Sequence, residues 1–311
     1  MKFVILLSMI ALLCFTGCSP ATPNTVAGEA RINVVATTGM IADVVRTIGG
    51  EHIQLTQLMG AGVDPHLYSA TEGDVNTLSD AQVIFYNGIN LEARLTDIFE
   101  QLGRDRLVVA VGEAIPTERI LQEPNGAIDP HVWMDVEQWS LVAQRIADAL
   151  AAYDEAHAAE YQANGAAYRA ELAALHTEVS TLISSIPEQQ RVLVTAHDAF
   201  QYFSRAYGIE VFAPQGISTA SEAGVEDIRR TIDIMVERQV PAIFVESSVP
   251  QDIVNAIIEG AEARGQTVVL GGELFSDAMG NAGTPEGTYI GMLRHNAQVV
   301  TAALGGTNAA S

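Results

Sequence analysis

Lysine is all but absent, occurring once, at position 2, in a chain of 311 residues whose formal charge is −22. Positive charge otherwise falls to arginine, and so acidic a surface repels the phosphates of nucleic acid, which excludes that class of partner. It suits attraction of cations, although its general consequence is solubility. Cysteine is nearly as scarce, with Cys14 and Cys18 both close to the amino terminus, so the body of the chain holds neither a disulfide nor a thiolate metal site. No HExxH helix is present, which removes one familiar zinc-hydrolase signature. The apolar run from Phe3 to Phe15 is too short to span a bilayer comfortably.

That run follows Lys2 and ends on the small residues Thr16 and Gly17, so residues 1–17 read as an export signal. The sequence FTGCS resembles a bacterial lipoprotein processing site, with cleavage before Cys18 and lipid on its sulfur, although Phe15 stands where leucine is usual. Residues 18–30, rich in Ala, Pro, Thr, Asn and Gly, then read as the lipidated cysteine and a flexible tether. The remaining body of about 280 residues is long enough for two lobes, each with its own core.

From Arg31 onward short β-rich runs alternate with amphipathic segments, the pattern of βαβ units and a mainly parallel sheet. Strands are expected at Ile32–Thr37, Ile53–Met59, Val83–Asn87, Leu107–Val111, Val192–Thr195, Val211–Ala213, Ala242–Val245 and Thr267–Leu270. Between Tyr153 and Ile186, apolar residues recur at spacings of three, four and seven up to Pro187. This predicts one long helix of about 50 Å, read as the connector between an amino-terminal lobe (31–152) and a carboxyl-terminal lobe (188–311), with 153–187 linking them. A core helix inside one lobe is the alternative.

The tripeptide Asp-Pro-His occurs twice, at 64–66 and 129–131, each time with an aromatic residue two positions on, Tyr68 and Trp133. Chance gives about 0.01 such tripeptides for this composition. Proline stiffens each turn and pushes the preceding aspartate towards extended backbone, which suits presentation of a metal-ligating imidazole; incidental surface turns are the bland reading. His66, His131, His197 and Asp277 all lie in loops or just past expected strands, two in each half, where open α/β sheets bind ligands. Together they could enclose one divalent cation, Zn²⁺ in a closed His₃Asp set or Mn²⁺ if Asp277 offers both oxygens. Asp64, Asp129 and Asp198 are candidates to orient the imidazoles. Glu246 is the rival carboxylate and could equally pair with Arg205. His52, His157, His176 and His295 read as solvated or packed.

DPHLY, DPHVW, TAHDAFQYFSRAYGI and ELFSDAMGNAGTPEGTY resemble the four ligand segments of the solute-binding proteins of bacterial zinc and manganese ABC transporters, with most similarity to the treponemal TroA-like branch. The resemblance implies an α/β fold of two mainly parallel-sheet lobes joined by a single long helix, with the metal in the interlobe cleft. It implies His66, His131, His197 and Asp277 as the ligands, and no catalytic residue. Manganese-specific relatives carry glutamate at the third position, whereas zinc-specific ones often carry a histidine-rich loop that residues 112–130 lack, so both metals stay open. The function implied is that of an exported lipoprotein, in the periplasm or on the outer face of the cytoplasmic membrane. It would capture the ion and deliver it to an ABC transporter permease, as a monomer held to the membrane through Cys18. A zinc-dependent hydrolase and an adhesin or structural lipoprotein with a fixed metal are the rival readings.

Overall fold

The computed structural model describes residues 30–307. The signal, Cys18 and nearly all of the tether lie outside the described residues. Seven elements build the first half: β1 (Ile32–Ala36), α1 (Gly39–Gly49), β2 (Ile53–Gln57), α2 (Glu72–Asp80), β3 (Val83–Tyr86), α3 (Thr96–Leu102) and β4 (Leu107–Ala110). The strands form one sheet in the order β2-β1-β3-β4, every pair parallel. Runs such as INVVA and VIFY are β-branched and aromatic and are buried nearly throughout, as strands covered on both faces must be. The reciprocal cap of Thr71 and Asp74 fixes the start of α2.

The helix expected over Tyr153–Ile186 is present, and a second helix that the sequence reading did not expect precedes it. Helix α4 (Val136–Tyr153) and helix α5 (Ala158–Ser184) are separated at Asp154 and a 3-10 turn over Glu155–His157. Asp154 leaves helical geometry at φ −125°, ψ 82°, and its carboxylate takes the Tyr161 hydroxyl at 2.9 Å and His157 Nδ1 at 2.7 Å. This side-chain alternative to the helical ladder breaks the run. The expected helix is therefore shorter: 27 residues, about 40 Å. Gly165 lets α5 approach α4 closely, since a Cβ there would meet the Ala147 Cβ at 2.8 Å. Helix α5 packs on α1 and α4 from the first half and on α6 (Gln201–Tyr207) and α9 (Tyr289–Ala303) of the second.

The second half comprises β5 (Val192–Val194), α6 (Gln201–Tyr207), β6 (Glu210–Phe212), α7 (Val225–Glu237), β7 (Ala242–Glu246), α8 (Asp252–Glu262), β8 (Val269–Leu274) and α9 (Tyr289–Ala303). β5 pairs with β6 and β7 with β8, both parallel. Strand β8 runs through Gly271 and Gly272, beyond the expected end at Leu270. Its register slips opposite Ile243 and Phe244, and a Cβ on Gly271 would lie 2.5 Å from the Phe244 ring. Gly271 makes room for that ring, and Gly272, at φ +137°, makes room for Val299, instead of ending the strand.

Each half has its own outer core, one around Val35, Leu78, Ile84 and Phe99 and the other around Val194, Met235, Ile243 and Ile257. The largest apolar cluster is shared, running from β1 and α1 through α4 and α5 to α6 and α9. Trp139 stacks on Tyr289 of α9 with centroids 5.3 Å apart. Around them Tyr289 donates its backbone N–H to Asp43 Oδ2 (3.0 Å) and its hydroxyl to the Trp133 carbonyl (2.7 Å), while Trp133 Nε1 donates to the Ser276 carbonyl (2.8 Å). Fully buried Trp133 and Tyr289, whose polar ends are satisfied, bind the halves strongly, which favours small relative tilts over wide opening. Among the described residues no helix is long and apolar enough to cross a membrane.

Candidate metal centre

The two Asp-Pro-His turns are built alike. Asp64 Oδ1 accepts the His66 backbone N–H at 2.8 Å, and Asp129 Oδ1 accepts that of His131 at 2.9 Å; in each, the aspartate caps the amide two residues on. They differ at the imidazole. Asp129 Oδ1 also meets His131 Nδ1 at 2.7 Å, whereas Asp64 turns its Oδ2 away to the hydroxyl of Thr219. The Asp129 turn is further held by Asn87, whose Nδ2 donates to the Pro130 carbonyl at 3.0 Å. Asn87 is in turn fixed by buried Glu92, which takes the Asn87 and Gly88 N–H groups and the Thr37 hydroxyl. The sequence reading missed Glu92; nothing in GINLEARL distinguishes it from a surface glutamate.

His197 lies three residues beyond β5, and its orienting carboxylate comes from the end of β7. Glu246 Oε1 accepts the N–H groups of Ala196 and His197 at 2.8 and 2.9 Å, and Oε2 meets His197 Nδ1 at 2.5 Å. Glu246 is thus the partner of an imidazole, not a member of the central donor set. Arg205, the expected alternative partner, instead lies 3.7 Å from Asp135 and donates to the Arg119 carbonyl. Asp198 does not orient His197; it accepts from Gln201 Nε2 at 2.8 Å, and burial pushes its carboxyl up to about 6. Asp277 follows β8 by three residues, on a segment pinned by Asn296, which bonds both the N–H and the carbonyl of Phe275.

These loops bring His66, His131, His197 and Asp277 together, with one donor atom of each within 4.8 Å of all the others. His131 Nε2 lies 3.4 Å from Nε2 of both His66 and His197. Asp277 Oδ1 is 3.3 Å from His131 Nε2, and its Oδ2 is 3.3 Å from His197 Nε2 and 3.6 Å from His66 Nε2. A tetrahedral zinc ion with bonds of 2.0–2.1 Å requires donor separations of about 3.3–3.4 Å, which the three edges at His131 and the His197–Asp277 edge match, while the His66–Asp277 edge is longer at 3.6 Å. His66 is 6% exposed, Asp277 2%, and the other two are fully buried.

The electrostatics favour a cation. The carboxylates at Nδ1 of His131 and His197 are acceptors, which places the proton of each neutral ring on Nδ1 and aims the Nε2 lone pair inward. Neither oxygen of Asp277 has a hydrogen-bond donor, although both are buried. Burial by itself opposes charge on His131, but Asp129 and Asp277 outweigh it and lift that group to about 9. Glu246 and Asp277 likewise overcome burial and hold His197 well above the usual imidazole range. Burial dominates at His66, which falls to about 4. At Asp277 the burial penalty is outweighed by His197 and His131, keeping the carboxyl well below its usual range. Inward lone pairs and an undonated carboxylate in a dry cage are what a divalent ion satisfies.

The other histidines stay apart from this cage. His52 stacks on His157 with centroids 3.8 Å apart and meets Glu160 at 2.9 Å. His176 lies against Tyr207, and His295 Nε2 is 3.1 Å from the Glu273 carbonyl.

Comparison with known proteins places this geometry among relatives. Residues 34–303 match the family described as zinc-uptake complex component A, periplasmic. The manganese-binding lipoprotein MntA of Bacillus subtilis (strain 168) is 42% identical over 297 residues, covering 95% of this chain and 97% of MntA. The zinc-binding protein TroA of Treponema pallidum is 46% identical over 278 residues, 89% of this chain and 90% of TroA. The solved structure of the periplasmic zinc-binding protein TroA from Treponema pallidum superposes with a TM-score of 0.87 at 48% identity, over 88% of this chain and 99% of that one.

Proposed function

Because the chain belongs to the zinc-uptake complex component A family of periplasmic proteins, we propose that it is an extracytoplasmic solute-binding protein that captures Zn²⁺ or Mn²⁺ and delivers it to an ABC transporter permease. The metal is cargo here, not a catalytic cofactor, and the protein is not an enzyme. The observation that carries this reading is the buried cage of three imidazole nitrogens and one carboxylate, with donor separations that suit a tetrahedral ion. His66, His131, His197 and Asp277 are the ligands in this proposal. Four protein donors leave no open position at which a metal could activate water, which argues against the hydrolase reading. Zinc fits the set as it stands, and manganese would draw on both oxygens of Asp277.

Two ligands come from either side of the linking helix, so loading draws the halves together by the differential affinity of the ion for the closed arrangement. The permease can then tell loaded protein from empty. In this proposal residues 31–152 and 188–311 are the two lobes, 153–187 link them, and the mature protein is a monomer anchored by lipid on Cys18. The likeness to relatives described as lipoproteins supports the anchor.

Calorimetric titration with each metal, followed by transfer to a chelator, tests the binding role. One exchangeable ion per chain is expected, with loss of metal uptake in cells deprived of the protein. A metal that does not exchange, with uptake intact, would instead favour the structural lipoprotein.

A further inference from the structure

We propose that residues 215–221 form a lid over the metal cage, and that the hydrogen bond from Thr219 to Asp64 is the clasp whose opening sets the rate of metal exchange. The inference rests on the metal-capture reading above and adds a residue that touches no metal. His66 is the most exposed of the four proposed ligands, at 6%, so the way into the cage runs past it. Asp64 and Leu67, on either side of His66 in sequence, form one wall of a cavity of about 650 Å³. The facing wall comes from the second half and includes Gln215, Thr219 and Glu222.

Across this cavity the Thr219 hydroxyl donates to Asp64 Oδ2 at 2.5 Å, while Asp64 Oδ1 keeps the backbone N–H of the ligand candidate His66 at 2.8 Å. The Thr219 side is braced. Gln215 Nε2 donates to the Thr219 carbonyl at 3.2 Å and to the Ser221 carbonyl at 2.8 Å. The Gln215 backbone N–H reaches the carbonyl of Ala196, next to His197, at 3.3 Å. A continuous chain of bonds therefore runs from the His66 turn through Asp64, Thr219 and Gln215 to the His197 segment. A charged acceptor and a short bond make the clasp strong for a single contact, and breaking it frees the His66 turn to swing outward.

Thr219→Val removes the donor with little change of shape, and Thr219→Ser retains it. Stopped-flow transfer of zinc from the loaded mature protein to a chromophoric chelator, with the reverse capture measured on the metal-free protein, reads both directions through the gate. Thr219→Val is expected to release and to capture zinc about tenfold faster, leaving equilibrium affinity within about threefold. Thr219→Ser should stay within about twofold of wild type in both rates. Wild-type rates in Thr219→Val would overturn the clasp, as would faster release with unchanged capture, which would make Thr219 an ordinary stabiliser of the loaded form. A wild-type protein that takes up neither zinc nor manganese would sink the metal-capture reading itself, a result distinguishable from either.

Discussion

The two Asp-Pro-His turns start from the same three residues and end as different parts. At His131 the aspartate holds both the backbone and the ring, the side chain is fully buried, and Asn87 and Glu92 stiffen the turn from behind. At His66 the aspartate holds only the backbone with one oxygen and gives the other to Thr219 in the opposite half. His197 resembles His131, since Glu246 fixes its ring and its backbone. The cage thus sets His131 and His197, whose rings are each held by a carboxylate, beside a His66 whose ring has no such carboxylate and which is the most exposed of the four at 6%. A receptor that must both hold and surrender an ion needs this asymmetry: orientation at His131 and His197 gives affinity, and freedom at His66 gives exchange.

Removing an oriented imidazole should have the largest effect. His131→Ala is expected to lower zinc affinity more than 100-fold, beyond the 10–100-fold typical of losing an outer partner, and His66→Ala to lower it about tenfold less than that; competition against a chelator of known affinity separates the two. Next, Glu246→Gln and Asp129→Asn should each weaken binding about 10–100-fold by disorienting an imidazole, whereas Asp198→Asn, whose carboxylate serves Gln201, should leave affinity unchanged in the same assay.

Protons compete with metal chiefly at the oriented imidazoles. Without metal, His131 is lifted to about 9 by Asp129 and Asp277 against its burial, so its proton must leave when the ion binds. Affinity should rise about tenfold per pH unit for each proton displaced between pH 6 and 8, which calorimetry in buffers of differing ionisation enthalpy would count. His66, held at about 4 by burial, is neutral over that range and contributes no proton. The stability of the metal-free protein moves in the other direction. The raised His131 contributes stability that is fully present below its ordinary value of about 6.5 and is lost as pH rises through about 9. The smallest effect lies away from the ion. Tyr289→Phe removes the bond to the Trp133 carbonyl and should cost about 1 kcal/mol of stability, seen in thermal melts of the metal-free protein, with metal affinity nearly unchanged.

Much of this was legible in the sequence because the informative signals are local. Alternating strand and helix runs place the parallel sheets, and the four donors stand out because each follows a strand or occupies a proline-stiffened turn. What escaped depends on contacts distant in the chain. Glu246 lies 49 residues from His197, so its role as the orienting carboxylate follows only from where β5 and β7 end. Helix α4 is the exception: its buried Val136, Trp139, Val142, Ile146 and Leu150 recur at spacings of three and four, a local signal that the sequence reading passed over. The break at Asp154 is set by its own side chain, and the glycines of β8 are set by the close approach of Phe244 to Gly271 and of Val299 to Gly272, neither of which apolar periodicity reports.

The central claim is that one ion is held jointly by the two halves. Anomalous diffraction at the zinc edge from crystals of the loaded mature protein tests it most directly. The expected result is a single strong peak about 2.0–2.2 Å from Nε2 of His66, His131 and His197 and from a carboxylate oxygen of Asp277. A peak bonded to residues of only one half, or one lying outside this cage, would contradict it.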